Sequence, residues 1–244
     1  PWRVGLAAAL VGALAVYYTT ASTLWNASNW WDVAWLALVV IPAVFALVYL
    51  VLPLWRARGL LLVAIALAVF TAAADGGGLD VLANFTKLAA MTALAFWFLS
   101  YFESAAWVAL VASIIPWVDA YSVWRGPTRH IVTEQRELFT TLSIAFPLPG
   151  ENASANLGLP DLLFFGLFLA AAARFGLRPG WTWIALTASF GATMALTVWF
   201  ELAGLPALPL LSLGFLLPNA DLLWRSIRRE RDGSREPRGS SDHP

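Results

Sequence analysis

Cysteine is absent from the 244 residues, which removes disulfides, thiolate metal centres and cysteine nucleophiles and leaves the redox compartment unmarked. Histidine is nearly absent too. Of the two present, His130 and His243, neither stands in an H-E-x-x-H run, and no G-x-S-x-G occurs. Zinc and serine–histidine hydrolases therefore lack their parts, and no metal or cofactor is expected. Charge is scarce, at 12% of residues, and fifteen Lys+Arg balance fifteen Asp+Glu. That leaves no basic domain to hold nucleic acid.

What the chain has instead is hydrocarbon. Hydrophobic residues make up 60% of it, in runs that repeatedly reach the roughly 17–25 residues needed to cross a bilayer as a helix. The expectation is an all-α, polytopic membrane bundle with eight spans, near 4–20, 33–54, 59–75, 79–101, 104–124, 157–177, 181–202 and 206–224. Residues 1–224 form one membrane domain, with N-terminal helices over 1–103 and the helices carrying the polar motifs over 104–224. The tail 225–244 is charged and Gly/Ser/Pro-containing, and is expected to be disordered. The first apolar run is read as a retained helix rather than a cleaved signal peptide. The start at Pro1 rather than methionine suggests that residues precede it.

The one long connection, 125–156, carries Arg125, Arg129, His130, Glu134, Arg136, Glu137 and Glu151 around an amphipathic piece, ELFTTLSIAF. Arg56 and Arg58, Arg174 and Arg178, and the arginine-rich tail all fall on one side by alternation, which the positive-inside rule makes cytoplasmic. The same alternation sends 125–156 outward despite its three arginines. Trp25, Trp30, Trp31, Trp55, Trp124 and Trp181 stand near span ends, where an amphipathic ring suits the headgroup layer. Asn26, Asn84 and Asn152 each begin an N-x-S/T triplet, a pattern common by chance. Lys87 in LANFTKLAAM is expected to pair with an acid or to snorkel, whereas Glu103, Glu201 and Asp221 lie near span ends and read as solvated.

Two acids do not read as solvated. Asp119 in IIPWVDAYSVW and Asp161 in LGLPDLLFFGLF fall at similar depth in the two spans that the long loop joins. An ionised carboxylate in hydrocarbon is costly, so intramembrane acids point to function by default. On antiparallel neighbours both lie on the loop side, Asp119 ~8 Å before one helix end and Asp161 ~6 Å into the next. Two carboxylates held together at low dielectric share a proton, one acting as acid and one as base, a pair able to activate water and protonate a leaving amine. The plain alternative is helix capping. For Asp161, behind Pro160 at a helix start, that alternative is as good as function. Asp119 precedes a helix C-terminus, where an acid opposes the macrodipole, and has no such explanation on its own helix.

Three motifs occur in order: Asp119-Ala-Tyr-Ser-Val-Trp-Arg, then Gly158-Leu-Pro-Asp161, then Pro206-Ala-Leu-Pro209. This pattern resembles the presenilin and signal-peptide-peptidase family of intramembrane aspartyl proteases, whose members carry Tyr-Asp, Gly-x-Gly-Asp and Pro-Ala-Leu in that order. The likeness covers roughly residues 110–224; the first four spans match only in being hydrophobic. It implies that Asp119 and Asp161 are catalytic, that Gly158, Leu159 and Pro160 form the wall beside Asp161, and that Pro206, Ala207 and Leu208 line the cleft. The substrates implied are transmembrane peptides; separately, the excess of arginine over lysine and the Ala/Leu-rich spans point to a prokaryotic cell membrane, and the arginine placement puts the tail on the cytoplasmic side. Val118 stands where the family has tyrosine, and Pro160 where it has the second glycine, removing a hydroxyl and an amide donor. The family has nine helices with its aspartates in the sixth and seventh, so one further N-terminal helix would reconcile the count. The inferred orientation resembles that of the signal-peptide peptidases. Gly204, Pro206 and Pro209 loosen the start of the last span and leave backbone groups without intrahelical partners. Two other functional classes fit the same acids: a proton- or cation-coupled transporter or channel, and a catalytically silent homologue that binds membrane helices. The absence of an inverted repeat weighs against the transporter.

Overall fold

A computed structural model describes residues 2–125, 141–202 and 205–233. Helix α1 (Trp2–Thr20) is followed by α2 (Asn29–Trp35) and α3 (Ile41–Val51), α4 (Leu60–Gly76), α5 (Asp80–Phe98) and α6 (Ala105–Arg125). Strands β1 (Ser143–Pro147) and β2 (Ser154–Gly158) precede α7 (Leu159–Arg174), α8 (Pro179–Trp199) and α9 (Leu208–Gly233). A π turn, Leu36–Val40, joins α2 to α3, so Asn29–Arg56 runs as one rod of 28 residues. Its cause is Pro42 in the first turn of α3. Proline has no N–H to give the carbonyl four residues back, and the ladder widens there.

The described residues therefore make a bundle of about eight helical rods. Five of them, Trp2–Thr23, Asn29–Arg56, Asp80–Tyr101, Ala105–Ser122 and Pro179–Trp199, are long and apolar enough to cross a membrane. The protein is a multi-pass integral membrane protein. Large apolar side chains such as Leu38, Leu62, Val69 and Leu217 point outward, where hydrocarbon rather than water is the solvent. Of the remaining expected spans, α4 is apolar but has only 17 residues, α7 has 16 and α9 is charged over its last turns.

Helix α7 is the axis of the bundle. Phe165, Leu167, Phe168, Leu169, Ala170, Ala171 and Ala172 are wholly buried on every side, which explains why a helix ~24 Å long suffices: its surroundings are protein, not lipid. Phe165 packs on Phe45 and Phe190, and Phe168 stacks on Phe215 at 4.9 Å between ring centroids. Gly166 lets α5 approach closely, since a Cβ there would lie 2.8 Å from the Ala95 Cβ. Small residues at such contacts are how helices pack where no hydrophobic drive separates them from lipid.

The β-hairpin adds to the all-α expectation. Residues 143–146 of the stretch read as an amphipathic piece form β1, paired antiparallel with β2 from Ser143↔Gly158 to Pro147↔Ser154. Ile144 and Phe146 are buried on one face, a period of two that no helix keeps. Gly150 (φ +72) turns the chain. Its N–H donates to Ala21 O at 2.8 Å, and its missing Cβ leaves room for the Trp25–Asn26 backbone. Residues 126–140, with Arg129, His130, Glu134, Arg136 and Glu137, lie outside the described residues.

The tail also differs from expectation over its first part. Helix α9 continues to Gly233, nine residues past Trp224. An existing helix propagates at little cost through good helix formers such as the Arg and Glu of RSIRRER. Residues 234–244 lie outside the described residues. At the same end of the bundle Arg178 forms a bidentate pair with Asp221 at 2.7 and 2.9 Å, and Arg174 donates to Leu99 O at 2.6 Å. Asp221 is thus exposed but paired.

Candidate functional site

At the opposite end, the hairpin delivers the chain into α7 by a continuous set of backbone bonds. Leu159 N–H donates to Leu142 O at 3.0 Å, which extends the β-ladder one step beyond the strands and fixes where the helix begins. Asp161 is the third residue of α7. Its partly buried carboxylate lies against the Gly158 backbone, and a Cβ on Gly158 would lie 3.3 Å from Asp161 Oδ2. Glycine at 158 therefore serves a close approach rather than an unusual dihedral, since its φ of −63° and ψ of 146° suit any residue. Pro160 sits in the first turn, where its missing N–H would have been an orphan in any case.

Asp119 projects from α6 three residues after Pro116, a proline that opens the helical ladder just before it. Its Oδ2 accepts the Leu208 N–H at 3.1 Å. Leu208 is the first residue of α9, and its N–H is one of the donors that a helix start leaves unpartnered. This supplies the structural reason that Asp119 lacked within its own helix: it caps the next helix but two in sequence, with its charge at the favourable end of that helix's dipole. The loosened start of the last span is accordingly satisfied by a side chain. Ala207 and Leu208 are buried, Pro206 is buried beside them, and Leu211 N–H returns to Ala207 O at 3.0 Å. Gly204 lies outside the described residues.

Asp119 and Asp161 lie within electrostatic reach of one another. Segments 119, 158–161 and 206–208, separated by dozens of residues, thus converge at the hairpin end of α6, α7 and α9. Leu159 is partly buried and Pro160 exposed at the rim. Val118 is 55% exposed on the outer face of α6. Among the described residues no group of three His, Cys, Asp or Glu could hold a metal ion.

Sequence reasoning missed three polar groups near this end. Asn84, noted only as a triplet, clamps β1: its Nδ2 donates to Ala145 O at 3.1 Å and its Oδ1 accepts the Ala145 N–H at 3.0 Å. Tyr17 Oη donates to Pro147 O at 2.6 Å. Asp32 is 4% exposed beneath the hairpin turn. The signal for Asn84 was its depth in an apolar span; Asp32 stood one residue outside an expected span boundary and attracted no notice. Lys87 pairs with Asp75 of α4 at 3.8 Å, so the pairing alternative holds over snorkelling.

No protein-family model matches this chain, and no curated protein matches it. What is shown is a helical multi-pass membrane bundle; the family resemblance rests on the three motifs.

Proposed function

We propose that this protein is an intramembrane aspartyl protease of presenilin or signal-peptide-peptidase type, in which Asp119 and Asp161 hydrolyse peptide bonds within transmembrane segments. The observation that supports this reading best is the Asp119 Oδ2 to Leu208 N–H bond. It ties the first acid to the Pro206–Leu208 segment while Asp161 lies within reach of its charge. Since Oδ2 is the oxygen that accepts from Leu208, Oδ1 is left to orient a water. One carboxylate takes a proton from water as its oxygen attacks the scissile carbonyl carbon. The other, protonated, gives its proton to the carbonyl oxygen, and collapse of the tetrahedral intermediate breaks C–N as the amine is protonated. One water is consumed and a carboxylic acid and an amine leave.

A helical substrate must unwind first, because intact helical bonds shield its carbonyls. The hairpin offers those freed groups partners. Even-numbered positions of β1 make the ladder bonds, as at Leu148 with Ala153 and Leu142 with Leu159, so Ala145 and Pro147 direct their free groups to the outer edge, where Asn84 and Tyr17 meet them. By the same register, Ser154 and Asn156 of β2 turn backbone groups to the other edge. A substrate strand would add there, ending beside Asp161.

The test is cleavage of a single-span reporter by purified protein in nanodiscs. Asp119→Asn and Asp161→Asn should each lower the rate by about 10²–10⁴-fold with the fold retained. Proton-coupled uptake into proteoliposomes without cleavage would refute the protease and favour a proton pathway through the same acids.

A further inference from the structure

One buried acid takes no part in the chemistry above. Asp32 lines a cavity of about 300 Å³ between α2, α8 and the hairpin turn. It is 4% exposed, and its Oδ1 has no hydrogen-bond partner. Leaving a carboxylate oxygen desolvated and unpaired is costly, unless a guest supplies the donor. Partly buried Glu151 of the hairpin turn lines the same cavity. Val33, Leu36 and Met194 form an apolar wall, and no lysine or arginine is among the lining residues. An apolar sleeve with two carboxylates and no cation matches one kind of side chain: an alkyl stem ending in an ammonium or guanidinium group.

We propose that this cavity is a specificity subsite that receives a lysine or arginine side chain flanking the scissile segment of a transmembrane substrate. The proposal rests on the proteolytic reading and names what that site selects. Position is the second argument. Ala155 of β2 forms part of the cavity wall and lies six residues before Asp161, so a substrate strand on the free edge of β2 passes the cavity before reaching the acids. Chemistry argues against a phospholipid amine as the occupant. Its phosphodiester would enter with the ammonium and find Glu151 but no basic partner among the lining groups.

The experiment uses the full chain in phosphatidylcholine nanodiscs and a series of fluorescent single-span peptides in which one lysine is moved along the loop-side flank, with methionine at the same position as the neutral control. Binding is read by anisotropy and cleavage separately by gel. One lysine position should bind at least tenfold more tightly than its methionine control. Asp32→Asn should reduce that preference to under twofold, and Glu151→Gln, on the hairpin turn, should reduce it about threefold. Peptides that bind without preference, or do not bind, overturn the proposal, as does a preference unchanged in both variants. Loss of the preference on adding phosphatidylethanolamine would assign the cavity to a lipid amine and overturn the substrate assignment. Cleavage without lysine preference removes the subsite and leaves the protease; lysine preference lost in Asp32→Asn without any cleavage removes the protease and leaves a receptor for basic flanks.

Discussion

Asn84 holds the hairpin, and through it the start of α7, by two hydrogen bonds to a single residue, Ala145, at 3.1 and 3.0 Å. Replacing it with leucine keeps its size and removes both. A neutral hydrogen bond contributes about 0.5–1.5 kcal/mol net, so the pair is worth ~2 kcal/mol. At about 1.36 kcal/mol per tenfold, that is a roughly 30-fold increase in the fraction of time β1 is released from α5. Hydrogen exchange in nanodiscs reads this directly, and the Ala145 amide should exchange roughly 30-fold faster in Asn84→Leu. Because Gly158 ends β2 and its backbone lies against Asp161, the same variant should slow reporter cleavage several-fold without altering helix content. Exchange at Ala145 within twofold of the parent protein would refute the clamp, and with it the account of why β1 lacks a free edge.

The remaining expectations follow from close contacts and from charge. Gly158→Val adds a branched side chain where a Cβ alone would stand 3.3 Å from Asp161 Oδ2, so cleavage should fall by more than tenfold while thermal stability changes by less than about 1 kcal/mol; equal activity would show that the carboxylate has room. Gly166→Leu drives a side chain into Ala95, whose Cβ is already 2.8 Å from the position of an added Cβ, and should cost about 1–3 kcal/mol in a denaturant titration. Lys87→Met leaves Asp75 without its partner at 3.8 Å; because Asp75 is 39% exposed the loss should be about 1 kcal/mol, recovered in the double variant with Asp75→Asn, and a double variant no better than the single would deny the coupling.

Much of the architecture was legible because lipid imposes one strong rule. Backbone groups in hydrocarbon must bond within their own segment, so long apolar runs read as helices almost regardless of detail. The π turn before Pro42 and the 3-10 turn over Leu52–Arg56 leave the span intact and changed nothing at that level. The hairpin was not legible. SIAFP and SANLG are five residues each in a polar loop, and their pairing depends on Asn84, Tyr17 and the Trp25–Asn26 backbone, which are distant in sequence. The helical continuation to Gly233 was hidden by a composition that suits solvent equally as coil or as helix.

The sequence by itself determined that the chain lives in a membrane, that its long apolar runs are helical, and that Asp119, Asp161 and the Pro206–Leu208 segment stand out from their surroundings, since each is a polar or helix-breaking cost within an apolar run. Tertiary structure alone decided that α7 is the buried axis, that the Gly158 backbone lies against the Asp161 carboxylate, and that the Leu208 N–H ends on Asp119. Asp32 became visible as an unpaired acid only once α2, α8 and the hairpin turn enclosed it. The physical reason is common to all four. Burial and hydrogen-bond satisfaction are properties of a neighbourhood, and here the neighbours come from segments tens of residues apart.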